Sequence, residues 1–171
     1  MKFQKTLFAV ALLGLTGAVA NVYAATTSSS FQVTATVIKS CTISTAPISF
    51  GNYDPTSTSA VTAQGSVSAK CTKGTPVTVA LDQGSNKGGG STAATPARQM
   101  TDGNSNQLPY HIYTTSGGTT EWGNTTATEP SAQTSISVNT ALVFTTYGSL
   151  PAGTDVPAGN YTDTVTASLV F

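Results

Sequence analysis

Apolar and polar residues alternate with a period of two through most of the chain, and sustained helical periodicity is absent after the first two dozen residues. The longest alternation runs to the last residue, with odd-numbered residues from Tyr161 to Phe171 projecting one way and mostly Thr and Ser projecting the other. Shorter faces of the same kind are predicted at Phe31, Val33, Ala35 and Val37; at Ile43, Ile48 and Phe50; at Val67, Ala69 and Cys71; at Val77, Val79 and Leu81; at Leu108, Tyr110 and Ile112; at Ile136 and Val138; and at residues 142–144. About seven short strands separated by turn-rich segments indicate an all-β fold, either an immunoglobulin-like sandwich or a related Greek-key fold.

The first 24 residues have the features of a secretory signal peptide. Lys2 and Lys5 give a basic start, residues 7–19 are apolar apart from Gly and Thr, and a small-x-small exit ends at Ala24. This apolar run is too short for a transmembrane helix, which needs about 20 apolar residues. We therefore predict cleavage after Ala24, export from the cytoplasm, and a single domain of 147 residues (171 − 24).

The composition favours a folded β-protein that is poor in charge. Only 8% of residues are charged, and the chain contains 32 Thr and 19 Ser. Disorder normally accompanies high charge and few β-branched residues, whereas this chain has the opposite bias. Without Lys2 and Lys5 the exported part has 5 basic and 7 acidic residues, a net charge of −2. This balance argues against a nucleic-acid partner or an anionic membrane surface, and a hydroxyl-rich surface suits a protein that stacks against copies of itself.

Two cysteines, Cys41 and Cys71, lie in the part of the chain that is predicted to be exported. In an oxidising compartment they have one possible intramolecular pairing, and we predict a structural disulfide. Free thiols, an intermolecular bridge and a metal site are the alternatives. Zinc is disfavoured because no cluster of histidines accompanies the two thiols.

Residues that could perform catalysis or bind a ligand are sparse. The single His, His111, is out of phase with the apolar residues of its strand, so we predict a solvent-facing or edge position rather than a catalytic one. The seven carboxylates are scattered along the sequence. The segment 102–106 begins like a calcium-binding loop, but the Gly at loop position six and the bidentate Glu at loop position twelve are missing from the residues that follow it. Trp122, Tyr110 and Tyr113 could form a sugar-stacking platform, but such aromatics more often cap a sandwich core. We predict no enzyme activity, no cofactor, no metal and no small-molecule substrate.

Three stretches of the sequence together resemble the spore coat U domain family, the subunits of archaic chaperone–usher pili. The first comprises residues 31–37, Ser40-Cys41-Thr42-Ile43 and residues 48–53. The second comprises residues 65–81 together with residues 108–114 and Glu121-Trp122-Gly123. The third comprises residues 147–153 and residues 157–165, with the terminal Phe171. The resemblance spans essentially the whole exported part, and its most specific portion is the C-terminal segment with Gly159, Tyr161, Asp163 and an aromatic last residue.

The resemblance implies an incomplete immunoglobulin-like Greek-key sandwich that lacks its last strand and is completed by donor-strand exchange. The missing strand would leave a hydrophobic groove beside the C-terminal strand. In the periplasm a chaperone would fill this groove, and at the outer-membrane usher the N-terminal segment of the next subunit would replace the chaperone. Identical or related subunits would thereby form a polymer on the surface of a Gram-negative bacterium.

The sequence offers candidates for both partners of such an exchange. The predicted acceptor groove, which would also bind the chaperone, is lined by Val165, Ala167, Leu169 and Phe171, because an edge strand accepts another strand. The predicted donor residues are Phe31, Val33, Ala35 and Val37. The same residues could instead form the first strand of the domain itself. The expected organisation is therefore a signal peptide over 1–24, a donor segment or first strand over 25–40, and a spore coat U-type β-sandwich over 41–171.

The expected function is that of a secreted structural subunit of a fimbria involved in adhesion and biofilm formation. One alternative is a protective coat component of a resting cell, assembled by the same strand exchange. A second alternative is a surface-binding adhesin that uses Trp122 and its neighbouring loops. The single predicted domain and the N-terminal extension favour a polymerising subunit over a tip adhesin, which generally carries an additional binding domain.

Overall fold

A computed structural model of the protein describes residues 23–171. The chain forms two units, residues 1–36 and residues 37–171. In the described part of the first unit, residues 23–36, there is no helix or strand and every side chain is exposed. The predicted signal peptide falls almost entirely on residues 1–22, which lie outside the described part.

The second unit is all-β. Its eight strands are β1 (Cys41–Ala46), β2 (Val61–Cys71), β3 (Pro76–Leu81), β4 (Arg98–Thr101), β5 (Gln107–Tyr113), β6 (Gln133–Thr134), β7 (Leu142–Leu150) and β8 (Ala167–Val170). They form a five-stranded sheet in the order β1-β2-β7-β5-β4 and a three-stranded sheet in the order β6-β3-β8, and every pairing is antiparallel. Residues 23–171 contain no helix, and hence none that could cross a membrane.

The buried core consists of the faces that the period-two pattern predicts. The following residues are all buried: Val67, Ala69, Cys71, Val77, Val79, Leu81, Leu108, Tyr110, Ile112, Leu142, Phe144 and Leu150. Trp122 lies among them with no exposed surface, and its indole N–H donates a hydrogen bond of 2.8 Å to the carbonyl of Val79. The interpretation of Trp122 as a core residue is confirmed, because a ring without exposed surface cannot stack on a sugar.

The prediction of a strand that begins at Ile136 and Val138 is wrong. These side chains are 69% and 59% exposed, and neither belongs to a strand. The chain instead pairs with β3 in the short β6 and leaves the sheet after Ser135, which is buried and bonds through its hydroxyl to the carbonyl of Cys71 at 2.8 Å. A turn with a bond from the N–H of Thr140 to the carbonyl of Ser137 then leads towards β7.

Two other segments differ from the predicted strands. Ile48 and Phe50 are half-buried and pack against the core, but they lie after β1 in irregular structure. The predicted strand over residues 161–171 is regular only over β8, although its alternation of half-buried and exposed side chains begins at Tyr161. Its first half forms a single bridge, from Thr162 to Thr101 at the end of β4, and otherwise bonds to the loop that follows β3.

Candidate functional site

The disulfide joins the first two strands of the larger sheet. Cys41 and Cys71 are directly opposite in the β1–β2 register, with Cα atoms 4.1 Å apart and a bond between their sulfur atoms. Just beyond it, the N–H of Thr72 donates to the carbonyl of Ser40 at 2.9 Å, and the Thr72 hydroxyl accepts the N–H of Ser40 at 3.1 Å. The predicted intramolecular disulfide is confirmed, and it fixes the chain at the point where β1 begins.

The core of the second unit is open along β1. Residues directly opposite in an antiparallel pair project to the same face, so Ile43 and Thr45 share the core-facing side with their partners Ala69 and Val67. Ala69 and Val67 are 0% and 3% exposed, whereas Ile43 is 43% exposed and Thr45 is also exposed. The side of β1 that should contact the opposing sheet therefore faces a gap.

The C-terminal segment borders the same gap. Val165, Ala167 and Leu169 are half-buried and pack against the core, while the Thr and Ser residues between them are exposed. The fourth predicted acceptor residue, Phe171, is 53% exposed. Val165 and Ala167 line a cavity of about 300 Å³ whose opposite side is formed by Thr45, Ala46, Pro47, Ile48 and Phe50.

A second, larger cavity continues from the first. It has a volume of about 900 Å³ and lies between the segments 48–55 and 156–162. Ile48, Phe50 and Met100 line both cavities, and core residues such as Leu108 and Leu150 form the floor of the larger one. Together the two cavities make one groove, which we call the open groove, with residues 45–53 as its first wall and residues 161–169 as its second wall.

The backbone of the second wall has one bonded edge and one free edge. Thr162 exchanges two hydrogen bonds of 3.0 Å with Thr101, and the carbonyls of Thr164 and Thr166 accept the N–H groups of Ser85 and Asp82 at 3.0 Å. Within the described part of the chain, the N–H and C=O groups of Asp163 and Val165 form no such bonds. Because backbone polar groups of successive strand residues point to opposite sides, those of the odd-numbered residues point to the open groove.

Two carboxylates fasten this wall to the loop that follows β3. The Asp163 carboxylate accepts hydrogen bonds from the hydroxyl of Tyr110 at 2.7 Å and from the backbone and side chain of Asn86 at 3.0 Å. The Asp82 carboxylate accepts the N–H groups of Thr166 and Gly84, both at 2.9 Å. Burial alone would raise the pKa of Asp82, but these two hydrogen bonds, the Thr166 side chain and the charge of Arg98 together outweigh burial, and the pKa lies below its ordinary value.

The single arginine of the chain lies in the core beneath this loop. Arg98 is 1% exposed, and its guanidinium donates to the carbonyl of Asp82 at 3.0 Å and to the carbonyl of Trp122 at 2.7 Å. Glu121 lies 3.6 Å away as an ion partner. Burial lowers the pKa of Arg98, and the neighbouring acidic groups oppose this shift. Arg98 is not among the residues predicted from the sequence, although a lone arginine in a chain so poor in charge was a signal.

The polar side chains of His111 and of the segment 102–106 make contacts within the fold. The His111 ring is half-buried, stacks on Tyr113 with centroids 5.7 Å apart and hydrogen-bonds through Nδ1 to Glu121, and this bond raises its pKa. Of the predicted solvent-facing or edge position, the first holds in part, because the ring is partly exposed, and the second is wrong, because β5 lies between β7 and β4. The Asp102 carboxylate accepts the N–H of Asn104 at 2.8 Å and the side-chain amide of Asn106 at 2.7 Å, which closes the turn between β4 and β5.

The predicted donor residues lie before the first strand. Phe31 and Val33 are 86% and 82% exposed, and Ala35 is also exposed; in the second unit Val37 is 83% exposed. None of the four belongs to a strand of either sheet, and the first strand of the domain is β1. Four regularly spaced apolar side chains are therefore exposed and are not part of the buried core.

Comparisons with known proteins agree on one family. The Spore Coat Protein U domain matches residues 27–168. Protein U of Myxococcus xanthus is 33% identical over 158 residues, which cover 86% of this chain and 87% of that protein. The chain is also similar to a chain in the crystal structure of the CsuC–CsuE chaperone–tip adhesion subunit pre-assembly complex, from the archaic chaperone-usher Csu pili of Acinetobacter baumannii. That similarity has a TM-score of 0.53 at 25% identity, and it covers 80% of this chain and 40% of the length of the other.

The matched family is named for a coat protein, and the matched structure is a pilus subunit. Both are structural proteins, and the immunoglobulin-like fold of the pilus subunit agrees with the all-β architecture described above. This chain is accordingly a structural protein and not an enzyme. The match to residues 27–168 covers most of the sequence, and the chain belongs to the Spore Coat Protein U domain family.

Proposed function

We propose that this chain is an exported subunit of a surface fimbria that polymerises by donor-strand exchange. In this proposal the segment 25–40 of one copy inserts into the open groove of the next copy and supplies the missing strand. Residues 1–24 act as the signal peptide, and residues 41–171 form the sandwich that accepts the donor. The polymer lies on the cell surface, where it serves adhesion and biofilm formation.

The observation that carries the proposal is the exposed inner face of β1 opposite a half-buried second wall. A folded sandwich normally buries both of these surfaces, and large exposed apolar patches mark interaction sites. Here Thr45 lines the gap from one side and Val165 and Ala167 line it from the other, while Ile43 lies on the same face of β1 as Thr45 and is also exposed. One additional strand between the walls would cover all four side chains and would pair with the free backbone edge of the second wall.

The donor segment matches the groove in length and in pattern. Phe31 to Val37 and Asp163 to Leu169 each span seven residues, about 20 Å in extended conformation. Each has apolar or half-buried side chains at every second position. Insertion would bury Phe31, Val33 and Val37, each worth about 1.5–3 kcal/mol, against about 1–2 kcal/mol of backbone entropy for each ordered residue. Main-chain pairing along the free edge adds to the stability of the complex.

The partners of the proposed subunit are a periplasmic chaperone, an outer-membrane usher and further copies of the chain. An open groove exposes core residues, so the subunit needs a protein that covers the groove before assembly. The similarity to a subunit whose structure was determined in a chaperone pre-assembly complex supports this role for a chaperone. Transport through the periplasm of a Gram-negative cell follows from the same proposal.

A protective coat component is the second candidate function. The 33% identity to Protein U over most of both chains favours it. Strand exchange could build a coat as well as a fimbria, so the two candidates differ in the place of assembly and not in its mechanism. The adhesin hypothesis is weakened because Trp122, the residue on which it depended, is completely buried.

The donor role is tested by charge substitution on the two faces of the donor segment. We expect Phe31→Asp combined with Val33→Asp to reduce SDS-resistant ladders in unboiled extracts at least tenfold in cells that express the cognate chaperone and usher. A buried, unpaired carboxylate costs several kcal/mol, which exceeds the contribution of one apolar anchor. Recovery of the subunit as a chaperone complex should stay within twofold of the wild type.

The matched control places the same charges on the other face of the segment. Gln32→Asp combined with Thr34→Asp adds two carboxylates to the same stretch but leaves the apolar face intact, so ladders should remain. Leu169→Asp should act earlier and lower chaperone capture, because Leu169 belongs to the acceptor. Ladders that survive the Phe31 and Val33 substitutions would refute the donor assignment.

A further inference from the structure

Two glycines on neighbouring strands lie directly beneath the first wall of the open groove. A Cβ atom at Gly148 would lie 2.8 Å from Cγ2 of Ile48 and 2.8 Å from Cζ of Phe50. A Cβ atom at Gly65 would lie 2.9 Å from Cγ1 of Ile48 and 2.7 Å from the carbonyl oxygen of Ala46. Real Cβ atoms essentially never make contacts this short. Neither glycine has a positive φ, so space, and not backbone conformation, is what requires glycine here.

The first wall depends on this packing for its position. Residues 47–52 form no backbone hydrogen bond within the described part of the chain and belong to no strand. Ile48 and Phe50 are half-buried against the core, and the Phe50 ring meets the Tyr110 ring edge-on with centroids 6.3 Å apart. The contact of Ile48 and Phe50 with the glycines therefore determines how far this wall stands from the second wall.

We propose that Gly65 and Gly148 are positioning residues that set the width of the open groove and thereby its fit to the donor strand. A methyl group at Gly148 would move Ile48 and Phe50 towards the donor by 0.6 Å (3.4 − 2.8 Å), because ordinary van der Waals contacts of a Cβ atom begin at 3.4 Å. Ile48 and Phe50 line both cavities of the groove, so this shift narrows the space that the inserted side chains must fill. Close-packed interiors tolerate such overpacking poorly. The inference rests on the proposed donor-strand exchange and adds the residues that make the groove fit.

The test measures binding of a fluorescein-labelled peptide of residues 25–40 to full chains that carry Phe31→Asp to prevent assembly. We expect Gly148→Ala to weaken peptide binding at least tenfold while the disulfide and the fluorescence of the buried Trp122 stay unchanged. Adding Phe50→Leu removes the ring atoms that the new methyl would strike but leaves its contact with Ile48, so it should restore binding in part, by at least threefold over Gly148→Ala alone. Gly89→Ala is the control, because a Cβ atom there would meet no atom within 4 Å and its φ is not positive.

The outcomes separate this inference from the proposed function. If the chain with Phe31→Asp alone does not bind the peptide, donor-strand exchange itself is overturned. If that chain binds and Gly148→Ala binds equally well, or if Phe50→Leu fails to restore binding to a folded variant, only the positioning role is overturned. If Gly148→Ala does not fold, Ile48→Ala gives the answer, since it truncates the wall without any clash. We expect it to weaken binding at least threefold, and unchanged binding would contradict the proposal.

Discussion

Arg98 shows how this sandwich tolerates a charge in its core. Two backbone carbonyls accept hydrogen bonds from its guanidinium, and Glu121 supplies the opposite charge, so part of the desolvation cost is offset. One of these carbonyls belongs to Asp82, whose side chain binds the N–H of Thr166 on the second wall. The buried guanidinium of Arg98 is thus connected through Asp82 to the backbone of the proposed acceptor.

Asp82 gives a prediction about pH. The pKa of Asp82 is lowered in the folded chain, so its carboxylate contributes stability above the ordinary value of 3.8, and this contribution is lost as the pH falls through the lowered pKa. Asp82→Asn should therefore be less stable than the wild type at pH 7, by about 1 kcal/mol for the weakened hydrogen bonds. The difference should shrink below pH 4.

The measurement is denaturant unfolding followed by the emission of Trp122, the single tryptophan, which reports on the core. It is made on chains that carry Phe31→Asp, so that assembly does not contribute to the signal. A difference between Asp82→Asn and the parent chain that stays constant from pH 7 to pH 2 would contradict the role assigned to this carboxylate.

At the scale of elements, the second wall is the part of the fold most closely tied to function. Its bonded edge is held by Thr101, Asp82, Ser85 and Asn86, and its free edge faces the open groove. Only β8, at its C-terminal end, belongs to a regular sheet. The wall can thus be held in an extended form while half of its backbone polar groups remain available to another strand.

Hydrogen exchange distinguishes the two edges. In the chain with Phe31→Asp, the amides of Asp163 and Val165 should exchange at least tenfold faster than those of Thr162 and Thr166, which are bonded. In the wild-type polymer, the amides of Asp163 and Val165 should become protected, because the inserted strand would accept them. Equal protection of all four amides in the unassembled chain would indicate that the strand is already paired.

The strands that form the core could be predicted from the sequence because each has one buried face. The alternation at Val67, Ala69 and Cys71 has a physical cause in the two-residue period of a strand, and burial follows it. Ile136 and Val138 have the same spacing but no face to bury against, since the chain leaves the sheet after Ser135. Alternation alone cannot distinguish these cases, because it carries no information about what lies opposite.

The first wall could not be predicted for a related reason. Its position depends on Gly65 and Gly148, which are distant in sequence from Ile48 and become neighbours only through the β2–β7 pairing. The side chains that the second wall turns towards the core were predictable, because the C-terminal segment has the longest alternation in the chain. Its role as an acceptor stays a prediction. The buried Arg98 was missed because arginine is rarely placed in a core without partners that only the fold supplies.

In the molecule as a whole, two parts of the chain leave apolar surface uncovered. The sandwich has an open groove between residues 45–53 and residues 161–169, and the segment before β1 has exposed apolar side chains at Phe31, Val33 and Val37. The segment before β1 could fill the open groove, and polymerisation would follow if the segment and the groove belong to different copies of the chain. The disulfide and the Thr72 bonds to Ser40 tie the end of the donor segment firmly to the sandwich.

Photo-cross-linking in assembled polymers shows which residues surround the inserted segment, and so tests donor-strand exchange itself. A benzoylphenylalanine at position 33, in polymers grown from an equal mixture of ¹⁴N- and ¹⁵N-labelled chains, would label the residues that surround the donor. Donor-strand exchange between copies predicts cross-links to residues 45–53 and 161–169, with mixed-isotope pairs that identify the target as another copy. Cross-links confined to a single isotope, or directed to the outer surface around Val143, would contradict donor-strand exchange between copies.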